Sequence, residues 1–309
     1  MRCLIAIVGP TAVGKSWLAL HLAQHFHGEI VNADSRQVYR YMDIGTAKPG
    51  PEERSIVPHH LLDMVDPDEP FSLAIYRQMA EQSISQIQLR GKVPFLVGGS
   101  GLYVWTIVEG WQIPAVPPDP SLRQRLEQQA REKGVYELFQ ELQRVDPVAA
   151  AKIMPTNLRR IIRALEVYLI SGKPISQFWQ KTPPTFPILI IGLTLERSEL
   201  YRRIDFRVDE MLKRGLVEEV KQLLDRGYGL HLPAMSGIGY KQIGEYLQGR
   251  TSLEEAVQQI KWQTHCFTRR QYAWFRTNDP RIHWFDVESS SVQQDIEKLV
   301  KAFLADGIK

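Results

Sequence analysis

The chain has 309 residues, 44% hydrophobic and 24% charged, close to globular averages, so one large domain or a core carrying a second lobe is expected and a disordered chain is excluded. No apolar run approaches the roughly 18 residues that cross a bilayer, and the two cysteines, Cys3 and Cys266, match no zinc or redox spacing. The expectation is a cytoplasmic protein, with no membrane partner, whose thiols are free and buried in a reducing compartment. The net charge of +3 is uneven: residues 119–185 hold 11 Lys and Arg against 7 Asp and Glu, leaving the remainder slightly acidic.

The first third alternates short β-rich runs with helical patterns. Leu4 to Val8 reads as a strand, Lys15 to about Phe26 as a helix, Ile30 to Asn32 as a strand, Leu73 to Leu89 as a helix and Val93 to Val97 as a strand. This is the order of a parallel sheet with crossover helices. A proline-rich stretch, Pro114 to Pro120, breaks the pattern, and only helical periodicity follows until Pro183, Pro184 and Pro187. Between the two proline clusters, Leu122 to Glu132, Val135 to Arg144 and Asn157 to Ile170 read as helices. A buried-strand pattern returns at 188–193, followed by helices over Arg197 to Leu212, Leu216 to Leu224 and Leu253 to Phe275, a strand at Ile282 to Val287 and a last helix. The fold class expected is α/β, a P-loop-type parallel sheet flanked by helices with an all-helical insertion domain. Its boundaries are 1–117 and 187–309 for the core and 118–186 for the insertion.

The segment Gly9-Pro10-Thr11-Ala12-Val13-Gly14-Lys15-Ser16 satisfies G-x-x-x-x-G-K-[ST] between a strand and a helix. There, successive N–H groups and a helix N-terminus face one anion. Lys15 supplies a point charge for phosphate oxygens, and the Ser16 hydroxyl is placed to ligate Mg²⁺. The loop specifies a polyphosphate without saying whose. Asp34 follows the second strand and Ser100 the glycine-rich turn after Val93 to Val97; in a doubly wound sheet both loops lie at the carboxyl edge with the phosphate loop.

These residues, taken with others, resemble a known family. Asp34-Ser35-Arg36-Gln37-Val38-Tyr39-Arg40, Met42 to Pro49, Gly98 to Tyr103, Arg159 to Tyr168, Met235 to Gln242 and Thr268 to Arg276 are similar to the bacterial tRNA dimethylallyltransferases over nearly the whole chain. The resemblance implies transfer of a dimethylallyl group from dimethylallyl diphosphate to N6 of the adenine at tRNA position 37. Gly9 to Ser16 would then hold the donor diphosphate with Mg²⁺, and Asp34 would act as general base on the amine. Ser100 stands where threonine is expected in many relatives; it keeps the hydroxyl and loses a methyl.

The tRNA contacts implied are Asp34, Ser35, Arg36, Gln37, Ser100, Arg123 and the segment Arg159, Arg160, Ile161, Ile162 and Arg163, with the basic insertion gripping an anticodon stem-loop. Arg203 and Arg207, four apart on one helix, are candidates for a lid over the diphosphate. His59 and His60 lack partners at metal-ligand spacing and read as structural, and the region 271–275 reads as core. A monomer is expected. Three rival readings remain at this point: an ATP-dependent kinase of the P-loop class, a non-catalytic RNA-binding protein and a prenyltransferase acting on free AMP.

Overall fold

The computed structural model describes residues 2–306. They divide into two compact units, 2–108 with 184–306, and Glu109–Pro183.

The first unit is built on a six-stranded, all-parallel sheet ordered β3-β2-β4-β1-β5-β6. The strands are β1 (Leu4–Val8), β2 (Gly28–Asn32), β3 (His59–His60), β4 (Val93–Val97), β5 (Ile188–Thr194) and β6 (Ile282–Asp286). β1, β2 and β4 are buried at every residue, which is why their sequences run apolar without alternation. Helices α1 (Lys15–His25), α2 (Pro51–Ile56), α3 (Leu73–Leu89) and α4 (Gly101–Val108) accompany the first four strands. One core joins α1 to the sheet through Leu18, Leu22, Ile5, Phe95 and Ile191.

The second unit is helical: α5 (Pro120–Lys133), α6 (Val135–Val145), α7 (Pro147–Ala150) and α8 (Leu158–Ser171). Its own core includes Leu126, Leu138, Leu142, Ile161 and Leu165. Pro120 opens α5 where the first-turn N–H has no helical partner, and Asp119 caps that turn by accepting from Leu122 N–H.

The chain returns to the first unit as β5 and continues through α9 (Arg197–Lys213), α10 (Leu216–Asp225), α11 (Tyr240–Leu247), α12 (Leu253–Trp274), β6 and α13 (Val292–Asp306). α9 and α12 pack side by side, with Lys261 paired to Asp209 at 2.7 Å, His265 to Asp205 at 2.9 Å, and the His265 ring stacked on Tyr201. This pairing carries Arg207 and Gln271 toward the sheet. A second apolar cluster, including Met42, Val220, Met235 and Ile243, fastens α10 and α11 under the loop that follows β2. The sequence reading omits β3, α2, α4, α7 and α11, elements of eight residues or fewer and so too short for a repeat to stand out in the sequence. Cys266 is only half-buried, whereas Cys3 is buried as expected.

Candidate active site

The phosphate loop begins where β1 ends. Gly9 has φ +139, and a Cβ there would lie 2.4 Å from the Leu193 carbonyl oxygen, so only glycine allows the loop to pass against β5. Val13 drops into the core and fixes the middle of the loop, while Lys15 and Ser16 line an open cleft. The Lys15 ammonium donates to the Pro10 carbonyl at 2.7 Å. The side chain is half-buried at the wall of the cleft. This burial lowers its pKa to about 7; Arg207 adds to the fall and Asp34 opposes it.

Arg207 lines the cleft beside the phosphate loop, its Nη1 at 3.4 Å from the Thr11 hydroxyl, and burial also lowers its pKa. Of the two arginines expected at a lid, Arg207 reaches the cleft. Arg203 instead donates to Glu199 at 2.9 Å.

Asp34 lines the same cleft. Its backbone N–H donates to Asn32 Oδ1 at 2.9 Å, and its own Oδ1 accepts the Arg36 N–H at 2.8 Å, so the carboxylate closes a tight local turn. Its second oxygen is left for other partners. Ser100 secures the next residue: its hydroxyl accepts the Ser35 N–H at 3.1 Å and lies 3.3 Å from the Ser35 hydroxyl. Below the turn, Tyr76 stacks on Tyr103 at 3.8 Å between ring centres and donates to the Asn32 carbonyl. Gln37 donates from its amide nitrogen to the Thr46 and Ala47 carbonyls at 3.1 and 3.2 Å, which leaves its amide oxygen as an acceptor. The Arg36 guanidinium, by contrast, is tied to the Pro233 and Ala234 carbonyls at 2.6 and 3.3 Å.

A polyphosphate loop and a carboxylate thus share one cleft at the carboxyl edge of a parallel sheet, as the strand order requires. The family model described as IPP transferase matches residues 37–278. The chain is 55% identical over 298 residues to the tRNA dimethylallyltransferase of Roseiflexus castenholzii, covering 96% of this chain and 97% of that one.

The chain belongs to the tRNA dimethylallyltransferase family.

Two solved structures extend the comparison. The full-length tRNA isopentenylpyrophosphate transferase from Bacillus halodurans is 41% identical with a TM-score of 0.74, covering 99% of this chain and 98% of that one. A eukaryotic dimethylallyltransferase, studied acting on tRNA, is 29% identical with a TM-score of 0.86, covering 99% and 80%. The kinase that the phosphate loop alone allows is not what these relatives are.

Set against this family, Gln271 is the residue that sequence reasoning missed. It is 3% exposed; its Oε1 accepts the Thr11 N–H at 2.8 Å and its Nε2 donates to the Gly99 carbonyl at 3.0 Å. A Cβ on Gly99 would lie 2.1 Å from that nitrogen. The place of Gln271 in the Thr268 to Arg276 segment of the family resemblance was the one available pointer. His59 also faces the cleft, its pKa lowered chiefly by burial, whereas His60 is paired with the buried Glu29. No helix among the described residues is long and apolar enough to cross a membrane.

In the helical unit the candidate tRNA contacts separate physically. Arg159 and Arg160 are exposed on α8. Ile161 and Ile162 are buried in the unit's core, so their side chains serve packing, and as RNA contacts they need correction. Arg123 and Arg163 both bind Glu166, a fully buried carboxylate, at 2.7 and 2.6 Å. Glu166 also accepts the Asp119 N–H. Burial pushes its pKa up, but bonds from the two arginines and Asp119 hold it below the usual value.

Among the described residues there is no group of three or more His, Cys, Asp or Glu placed to hold a metal. A site built from the Ser16 hydroxyl, donor phosphate oxygens and water fits Mg²⁺, which binds through few protein oxygens and keeps much of its hydration. Ser16 is exposed to the cleft at the first turn of α1, and its hydroxyl is not engaged by another described side chain.

Proposed function

We propose that this protein transfers the dimethylallyl group of dimethylallyl diphosphate to N6 of adenosine 37 in tRNA, releasing diphosphate, as a cytoplasmic monomer. The observation that carries the reading is the shared cleft, with Asp34 opposite Lys15 and the phosphate loop. In the reaction a bond forms between N6 and the allylic C1, the C1–O bond breaks with its electron pair leaving on diphosphate, and the N6 proton passes to a base.

The adenine amine is a weak nucleophile because its lone pair is delocalised into the ring, so a base must accept its proton as the bond forms. Asp34 is that base, using the carboxylate oxygen that the turn does not consume. The loop N–H groups, Lys15 and Arg207 receive the charge that develops on departing diphosphate. Mg²⁺, held by Ser16, would add charge stabilisation to the leaving group. Ser100 acts one step back, fixing the Asp34–Ser35 turn. Arg159 and Arg160 supply phosphate contacts to the anticodon stem-loop.

The test is incubation of unmodified tRNA with dimethylallyl diphosphate or with ATP, followed by mass analysis of the nucleosides. N6-dimethylallyladenosine from the first mixture alone is the expected result. Nucleotide phosphorylation without prenylated adenosine would overturn the proposal.

A further inference from the structure

We infer that Glu219 on α10 is a positioning residue for the acceptor base, acting through the loop 43–47 and Gln37. The inference rests on the proposed prenyl transfer to tRNA. Glu219 Oε2 accepts the N–H groups of Asp43 and Ile44 at 2.9 and 2.7 Å, and Oε1 accepts the Gly45 N–H at 3.1 Å. The same Oε1 accepts the Tyr240 hydroxyl at 2.7 Å. Three consecutive backbone donors aimed at one carboxylate form an anion-holding nest, here filled by a side chain from a helix more than 170 residues downstream.

The loop has no helix or strand. The Ala47 N–H donates to the Ile44 carbonyl and the Lys48 N–H to the Asp43 carbonyl, both at 3.0 Å, and with the buried Lys48 ammonium on Asp43 at 2.6 Å these bonds shape it as a turn, which Glu219 ties to α10. Gly45 lies so close to Tyr240 that a Cβ there would come within 2.6 Å of the ring, so the nest also seats the loop against α11. The next two residues, Thr46 and Ala47, line the cleft and offer the two carbonyls that bind the Gln37 amide. Glu219 therefore sets where those carbonyls stand, and through them which way the Gln37 amide oxygen faces. An acceptor base read by Gln37 would depend on a carboxylate it does not touch.

Glutamine at 219 keeps the shape but turns one acceptor oxygen into a donor, which faces backbone N–H groups that also donate. Tyr240→Phe removes one bond and leaves the nest. Glu219→Gln, Tyr240→Phe, Gln37→Ala and the Glu219→Gln/Gln37→Ala double variant are compared with the unmutated protein. The readouts are KM for tRNA, Kd for inorganic diphosphate and hydrogen-exchange protection of the Asp43, Ile44 and Gly45 amides.

Glu219→Gln is expected to raise KM for tRNA roughly tenfold or more, with lost amide protection and a diphosphate Kd changed by less than about twofold. The double variant should be no worse than Gln37→Ala alone, and Tyr240→Phe should be milder than Glu219→Gln. An unchanged tRNA KM, effects that add in the double variant, or diphosphate binding that weakens in parallel would overturn the inference. If the unmutated protein prenylates no tRNA, the proposed function fails separately. Direct binding of unmodified tRNA by the same variants then decides the role of Glu219.

Discussion

Gln271 on α12 and Thr11 in the phosphate loop are joined by a 2.8 Å hydrogen bond across 260 residues of sequence. The other end of the same amide holds Gly99, so one buried side chain sets the spacing between the diphosphate loop and the turn that carries Ser100. Replacing it by leucine keeps most of the volume and strands a donor and an acceptor, at about 1–3 kcal/mol each. Gln271→Leu should weaken donor binding by about one to two orders of magnitude in calorimetric titration. An unchanged donor Kd would mean the bridge does not set the loop.

Asp34→Asn tests the base without disturbing the turn, because an amide oxygen can still accept the Arg36 N–H. The rate constant kcat, measured in single turnover, should fall by about 10²- to 10⁴-fold, while tRNA Kd stays within about twofold. Near-normal turnover would remove Asp34 as the proton acceptor.

Lys15 gives donor binding a pH dependence with a definite sign. In the free protein the ammonium loses its proton near pH 7, against 10.5 for an ordinary lysine, and the incoming diphosphate favours the charged form. Above pH 7 binding must therefore take up a proton, so affinity should decline as pH rises from 7 toward 9. Calorimetry in buffers of different ionisation enthalpy should detect that proton, and Lys15→Met should abolish the uptake. In the absence of donor, the unfolded chain holds the Lys15 proton up to its higher pKa. This group's contribution to folding stability should consequently rise between pH 7 and 10.5.

The arginines of the helical unit should divide into two classes. Glu166→Ala leaves Arg123 and Arg163 without their buried partner; because both remain partly solvated, the loss should be about 2 kcal/mol, seen in chemical denaturation. Arg159→Ala and Arg160→Ala should leave stability unchanged. Each should weaken tRNA binding and reduce the dependence of log K on log salt by about one unit. Equal loss of tRNA affinity without loss of stability in Arg123→Ala would place Arg123 with the second pair.

Much of the chemistry was legible because it is local in sequence. The G-x-x-x-x-G-K-[ST] spacing specifies its own anion site through backbone geometry, and strand-loop-helix order sends Asp34 and Ser100 to the same edge of a parallel sheet. Amphipathic periodicity likewise exposed the helices of the 109–183 unit. Arg159, Arg160, Ile161, Ile162 and Arg163, however, form one basic stretch in sequence. Only the 3.6-residue turn of α8, packed on its neighbours, sorts exposed arginines from core isoleucines and from an arginine committed to Glu166.

Gln271 and Glu219 were invisible for a related reason. A glutamine after two arginines and a glutamate on an amphipathic helix have no intrinsic signature, since their roles reside in accepting the N–H groups of loops far away along the chain. The sequence by itself determined that a phosphate-binding loop and a carboxylate would stand at the ends of parallel strands. The tertiary structure alone decided which distant polar side chains would hold those loops in register, because hydrogen-bond partners are chosen by distance in space.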